Sequence, residues 1–563
     1  MSDSLRLRRS GVLAFVLVAA ARPSGAQPAA VPPVAPRPGV GPLRASAARL
    51  DLAYRIAMPD PASHLYEIGL DVGAPAGAAT ALGDTLRLIL PVWSPGRYAR
   101  MDFARNVQDF QATDGTGKPL RWTKLGGSAW GVATRGVRNV RVQYRVFANN
   151  LSGTFSVLDT AHANWNGASL FMYVEGHKPD PVRLTVAAPP GWVVVNGAQG
   201  NAALEGSAPN EFRLPNYDLL VDTPTEVAPG PNVTVDSFTV DGRRYRVMVH
   251  HNGPRPAGAQ ERFVRQVRDI VARENQVVAP PPLSTYTFLF NIGYQGGDGM
   301  EHLYSTQIAN PRAWTDTAAM LPGISTASHE YFHTWNMKRL RAAPLGPFDY
   351  TEAQHQPGLW VGEGWTQYYG DVTLHRAGVI DRAAFYRNLA NTLQFTSEAP
   401  GRKERSARQA SFDAPYFDGA AQPMQTNGSR TFLSYYPKGE VLALALDLII
   451  RGETHGAKSL DDVLRVLKQR TWDGATTSYY LQGHGYTEAD VERAASDVLG
   501  RDLHPWFDQY VGGVDDLPWD ELLRAVGLLV ERPAAGTPNG RWAVSEDAKA
   551  TAEQVRLREA WLK

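Results

Sequence analysis

Apolar residues recur with two different periods along this chain of 563 residues, and a segment can satisfy only one of them. Between residues 50 and 227 they alternate, as in LYEIGLDV (65–72), TLRLILPVW (85–93), NVRVQYRVFA (139–148) and VRLTVAAP (182–189), and Gly, Pro, Asn and Asp break the runs. Successive strand side chains point to opposite faces, so such runs bury one face and wet the other, which predicts an antiparallel β-sandwich. In SFTVDGRRYRVMVHH (237–251), Asp-Gly stands between two strand patterns and predicts a hairpin. ERFVRQVRDIVARE (261–274) instead places Phe263, Val267, Ile270 and Val271 on one helix face, and the buried strand TYTFLFNI (285–292) follows. Beyond Tyr436 the pattern is helical: EVLALALDLIIR, LDDVLRVLKQR, EADVERAASDVL and PWDELLRAVGLLV. The chain reads as an α+β multidomain protein, with a β-sandwich domain at 47–230, a mixed domain at 231–400, a helical domain at 401–530 and a tail at 531–563.

The N-terminus carries an address. Arg6, Arg8 and Arg9 precede the apolar run GVLAFVLVAAA (11–21), and small residues end at Ser24-Gly25-Ala26, the layout of a secretory signal peptide (1–26) cleaved near Ala26. That run is too short for a bilayer core of about 30 Å, which takes about 20 helical residues. Residues 27–46, rich in Pro and Ala, read as a linker. The expected mature protein is therefore exported, periplasmic or extracellular, with no membrane span. Lys+Arg 57 against Asp+Glu 56 leaves a net charge of +1, no field with which to gather nucleic acid. The chain has no cysteine, which excludes disulfides, thiol catalysis and Cys-ligated metal. A metal site or nucleophile must be built from His, carboxylates, hydroxyls or Lys.

The sharpest motif is HEYFH, His329 to His333, in a helix expected over about 323–336. Residues four apart on a helix lie about 40° apart in angle and about 6 Å along the axis, so both imidazoles can reach one ion. Glu330 lies on the flank between them, badly placed to ligate and well placed to hold a water on that ion, as in the zinc peptidase motif HExxH. The bulk of Tyr331, Phe332 and Trp335 belongs in a core and argues against a solvated surface helix. A catalytic zinc ion normally takes three protein ligands, so the third must be His, Asp or Glu. Glu363, in LWVGEGWTQYYGDVTL, is the best candidate. On one helix, Val361, Trp365, Tyr368 and Val372 form a stripe, and Glu363 projects from the other side with Leu359, Gly370 and Leu374. A carboxylate on a helix apolar on both sides needs a partner: a metal, or alternatively a buried salt bridge or the dipole of a helix N-terminus.

Six motifs occur in order: LPVWSPGRYARMDFAR (90–105), GGDGMEHLYS (296–305), HEYFHTWNMKRLR, LGPFDY, LWVGEGWTQYYGD and SYYPKGEVLALALDLIIR. With them the chain resembles the glycyl aminopeptidase family of exported zinc metallopeptidases, relatives of the thermolysin-like enzymes. The resemblance implies a thermolysin-like zinc metallopeptidase domain at 231–400, its active site completed by the helical domain. It implies one zinc ion held by His329, His333 and Glu363, with Glu330 as general base. Tyr436, in YPKG, matches the phenol that steadies the tetrahedral intermediate, and its neighbour Tyr435 ranks second. Glu301, in GMEH, matches the glutamate that receives a substrate's free ammonium group. Read without the resemblance, Tyr436 is a packing residue at a helix start and Glu301 a solvated turn carboxylate. The implied activity is release of small N-terminal residues, Gly or Ala, from peptides with a free N-terminus; an endopeptidase and a non-catalytic envelope-binding protein are the alternatives. The chain departs from its relatives at Ala342-Ala343, where they usually begin with Pro, and after Val526, where too few residues follow for the PDZ domain that many carry.

Overall fold

A computed structural model describes residues 49–74, 82–253, 255–418, 427–473, 485–534, 537 and 539–563; the expected signal peptide and linker lie outside the described residues. The alternating runs become sheets. In Leu65–Gly73 the side chains of Tyr66, Ile68, Leu70 and Val72 are buried while Glu67 and Asp71 face out. Six strands form one sheet in the order Glu211–Leu214, Val182–Ala187, Asp51–Ala57, Leu65–Gly73, Asn139–Phe147 and Val107–Asp114. Two four-stranded sheets complete the β-rich part, and residues from Leu52 to Val227 share one core. The pairing is antiparallel except between Asp51–Ala57 and Val182–Ala187, which run parallel. A parallel pair needs a long crossover, and here the chain between them supplies most of the other strands. Alternation reports which face is buried and carries no information about strand direction.

Asp241 and Gly242 both take positive φ (50° and 72°), so the hairpin Val233–Val240 and Arg243–His251 closes on the primed turn that Asp-Gly favours. It opens a five-stranded sheet that continues through Thr285–Ile292 and Ser305–Asn310 to the edge strand Asp298–Glu301. Helix Ala259–Val277 links Arg243–His251 to its parallel neighbour Thr285–Ile292. One core takes in Tyr98 and then runs from Tyr245 to Leu562, so the stretches expected as a mixed and a helical domain share it. The segment read as a tail contributes strand Ala543–Glu546 and helix Ala552–Leu562, and the buried Trp561 donates from Nε1 to Tyr368 Oη at 2.9 Å. Among the described residues no helix is long and apolar enough to cross a membrane.

A buried polar knot joins the β-rich part to the second core. Glu226 accepts from His162 Nδ1 and His250 Nδ1, both at 2.9 Å, and from Asn164 and Asn291 side-chain amides at 2.9 and 3.1 Å. His250 and Asn291 belong to the five-stranded sheet. Burial alone would raise the Glu226 carboxyl, but His162 and then His250 outweigh it and hold it at about 2. The folded value is depressed, so the associated stability is present above the ordinary carboxylate range and is lost as pH falls from about 4.5 toward 2. Glu226→Gln should therefore cost about 3–5 kcal/mol near pH 6.5, the scale for breaking a buried ion pair. Melting curves of native and variant protein should converge as pH drops below about 4.5; a gap independent of pH would contradict this assignment.

Candidate metal centre

The HEYFH motif ends its helix. That helix, Thr317–Phe332, is capped by Asp316, whose side chain accepts from Ala319 N–H at 2.9 Å. It begins earlier than expected because Pro322, early in the helix, removes only one backbone bond there. It also stops sooner: His333 is the C-cap, and the chain folds back so that Lys338 N–H reaches the His333 carbonyl at 3.0 Å. Both imidazoles still point to one place, with Nε2 atoms 3.0 Å apart.

Glu363 completes the group. Its Oε2 lies 3.6 Å from His329 Nε2 and 3.3 Å from His333 Nε2. Tetrahedral zinc with bonds of about 2.0–2.1 Å sets its ligand atoms about 3.3 Å apart, so the three separations fit that ion. The continuous helix expected around Glu363 is in fact two, Leu359–Gly362 and Gly364–Arg376, and Glu363 sits at the break. Asn336 holds the break: its amide donates to the carbonyls of Val361 (2.8 Å) and Gly362 (3.1 Å). The Asn336 backbone carbonyl lies 2.7 Å from His333 Nδ1. A carbonyl can only accept, so the ring hydrogen sits on Nδ1 and the Nε2 lone pair faces the ligand cluster. Burial lowers the His333 imidazole, but the charges of Glu363, Glu301 and Glu330 outweigh it and raise it, so without an ion a proton on Nε2 takes the place that a metal would fill.

Two glycines place the tyrosine. A Cβ on Gly364 would lie 2.3 Å from Gly439 Cα, and one on Gly439 would lie 2.2 Å from the Trp360 carbonyl oxygen. Helices Gly364–Arg376 and Tyr435–Glu453 thus touch backbone to backbone, which locks Tyr436 beside Glu363. The Tyr436 ring stacks on His329 with centroids 6.0 Å apart, whereas Tyr435 turns away and donates to Asp418 at 3.0 Å. Burial, with the Glu363 charge adding to it, raises the Tyr436 phenol well above its usual value and keeps it a proton donor.

Glu301 is buried at the end of the edge strand Asp298–Glu301, so the solvated-turn reading fails. Oxygen atoms of Glu301 and Glu330 and a His333 ring nitrogen lie within 4.8 Å of one another. Glu330 Oε2 is buried and meets no hydrogen-bond partner among the described residues. Burial raises the Glu330 carboxyl well above its ordinary value, and Glu301 adds to this against the pull of His333 and Arg97. The neighbouring His302 binds Asp222 at 3.0 Å, a tie to the β-rich part rather than a site group. The strand itself is clasped. A Cβ on Gly299 would lie 2.2 Å from Glu330 Oε1, and one on Gly96 would lie 2.2 Å from Met300 Sδ. Arg97 donates to Gly299 O at 2.7 Å and to the Asp298 carboxylate. Residue patterns gave no sign of Asn336 or of Tyr98, whose hydroxyl donates to Glu363 Oε1. Both stand inside quoted motifs, which was the only available signal.

Residues 53–229 match the family described as Peptidase M61 N-terminal domain, and residues 323–442 match M61 glycyl aminopeptidase; together they span more than half of the chain. The chain belongs to the M61 glycyl aminopeptidase family. It is a peptidase, and zinc, which its donor set fits, is its cofactor. Among solved structures this M61 peptidase is similar to an aminopeptidase N family protein from Idiomarina loihiensis, with a TM-score of 0.76 and 25% identity over 87% of this chain and 80% of that one. An M1 zinc metallopeptidase from Deinococcus radiodurans overlays with a TM-score of 0.46 and 14% identity over 84% of this chain and 95% of that one, a likeness too distant to inform the chemistry. No curated protein matches the M61 chain.

Two measurements check the centre. Metal-stripped protein should melt lower than the zinc-loaded form and recover with one zinc per chain, and His333→Ala should abolish that response. Gly439→Ala forces the two helices apart. It should cost about 1–3 kcal/mol of stability and on the order of 100-fold in kcat/KM, since small misplacements of reacting groups are expensive; unaltered kinetics would refute the role of this contact.

Proposed function

We propose that this chain is an aminopeptidase that removes small N-terminal residues, Gly or Ala, from peptides. The observation that carries this reading is the placement of Glu301 within 4.8 Å of Glu330 and His333. A free ammonium group and the first peptide carbonyl are separated by one Cα, so an anion gripping the ammonium beside the reacting groups admits cleavage only after the first residue. The small-residue preference is supported by the family description, M61 glycyl aminopeptidase. When bound, zinc acidifies water and polarises the scissile carbonyl. His329, His333 and Glu363 would hold it. Glu330 accepts the proton of the attacking water on its carboxylate and hands it to the leaving amine. Tyr436 donates its phenol hydrogen to the oxyanion as that charge develops. Glu301 binds the ammonium, and the arriving positive charge offsets the crowding of carboxylates around it.

The proposed division of labour assigns 47–230 to the β domain, 231–400 to zinc and base, and 401–530 to Tyr436. The leader-like run behind Arg6, Arg8 and Arg9 supports export, periplasmic or extracellular. A release assay on free and N-acetylated glycyl peptides tests the activity. The native enzyme should cleave only free peptides, Glu330→Gln should lose about 100- to 10,000-fold, and Glu301→Ala should lose most activity on free substrates. Cleavage of acetylated peptides would make the enzyme an endopeptidase instead.

A further inference from the structure

Tyr98 lies 265 residues before Glu363 in the chain, yet its hydroxyl donates to Glu363 Oε1. The other carboxylate oxygen, Oε2, is the one turned toward the two histidines. The phenol therefore occupies one oxygen of the carboxylate and leaves the other for an ion. Glu363 stands at the break between two helices, and a glutamate side chain turns about three bonds, so the backbone alone does not fix its carboxylate. Tyr98, by contrast, is held firmly. It is buried at 1% exposure, its ring meets Tyr435 edge-on with centroids 6.1 Å apart, and Tyr435 is itself tied to Asp418. The residue before it, Arg97, binds Thr154 at 3.0 Å and Gly299 O at 2.7 Å, anchoring the same loop to the β-rich part and to the Glu301 strand.

We propose that Tyr98 is a positioning residue for the metal ligand Glu363, fixing its carboxylate so that one oxygen faces zinc. The β-rich part of the chain then helps to set zinc affinity across the junction. Hydrogen-bonded partners of metal ligands typically govern affinity by about 10- to 100-fold. The inference rests on the reading of His329, His333 and Glu363 as the zinc ligands.

The test is Tyr98→Phe in the full chain, which removes one oxygen atom and keeps the ring. Competition with a chromogenic chelator should give a zinc affinity about 10- to 100-fold weaker than native. Activity on a glycyl peptide should fall at limiting zinc and return to within a few-fold in excess zinc. The visible spectrum of the cobalt-substituted variant should differ from native as the carboxylate changes its grip. Native zinc affinity in the folded variant would overturn the proposal, because a packing role would lower only the melting temperature of the metal-free protein. If the variant does not fold, 3-fluorotyrosine placed at position 98 leaves the hydroxyl in place, and its fluorine resonance should move when zinc is added; a resonance indifferent to zinc would also overturn it. Failure of the enzymatic reading is separable: a native chain that binds zinc tightly but releases no residue from any peptide sinks the aminopeptidase assignment and leaves the Tyr98 comparison intact.

Discussion

Everything around the centre answers to one buried charge. Glu363 is almost wholly removed from water, and an ionised carboxylate in such a place is tolerable only with compensating partners. His329 and His333 provide them on one side and Tyr98 on the other, and burial, which alone would raise the carboxyl, is outweighed by the imidazoles. The break in the helix at Glu363, the Asn336 amide on the carbonyls beside it and the glycine contact with Gly439 all serve to bring that carboxylate to the histidine pair. Remove the requirement and none of these departures from regular helix has a reason.

The β-rich part is more than a neighbour. Its loop carrying Gly96, Arg97 and Tyr98 clasps the Glu301 strand and touches Glu363, while Glu226 is knotted with His162, His250 and two asparagine side chains at a second junction. The two attachments differ in kind. The first is a close fit of glycines and one guanidinium, sensitive to added volume. The second is an ion network, sensitive to protons.

Much of the site was legible in sequence because helical spacing is a local property. His329 and His333 four residues apart converge whatever surrounds them, and the strand alternation named the buried face of Leu65–Gly73 residue by residue. Glu363, the proposed third ligand, was legible as a lone carboxylate in apolar company, but the break at Glu363 was not, since the flanking glycines leave the apolar spacing unchanged and the cause lies in Asn336 and Gly439. Tyr98 and the Glu226 knot depend on contacts between distant segments, for which one sequence has no periodicity to report. Strand direction was lost for the same reason, and with it the parallel pair of Asp51–Ala57 and Val182–Ala187. The last segment looked like a tail because its apolar residues are sparse; Val544, Leu557, Trp561 and Leu562 carry it into the core.

The separation of Tyr98 from Glu363 by 265 residues also bears on how the molecule matures. Contacts between remote segments carry the largest loop-closure cost, which must be met before the contact rewards it. The centre proposed from residues at positions 98, 301, 333, 363 and 436 cannot exist in a half-folded chain. Whatever peptide cutting this chain performs is therefore a property of the completed fold and of no fragment of it.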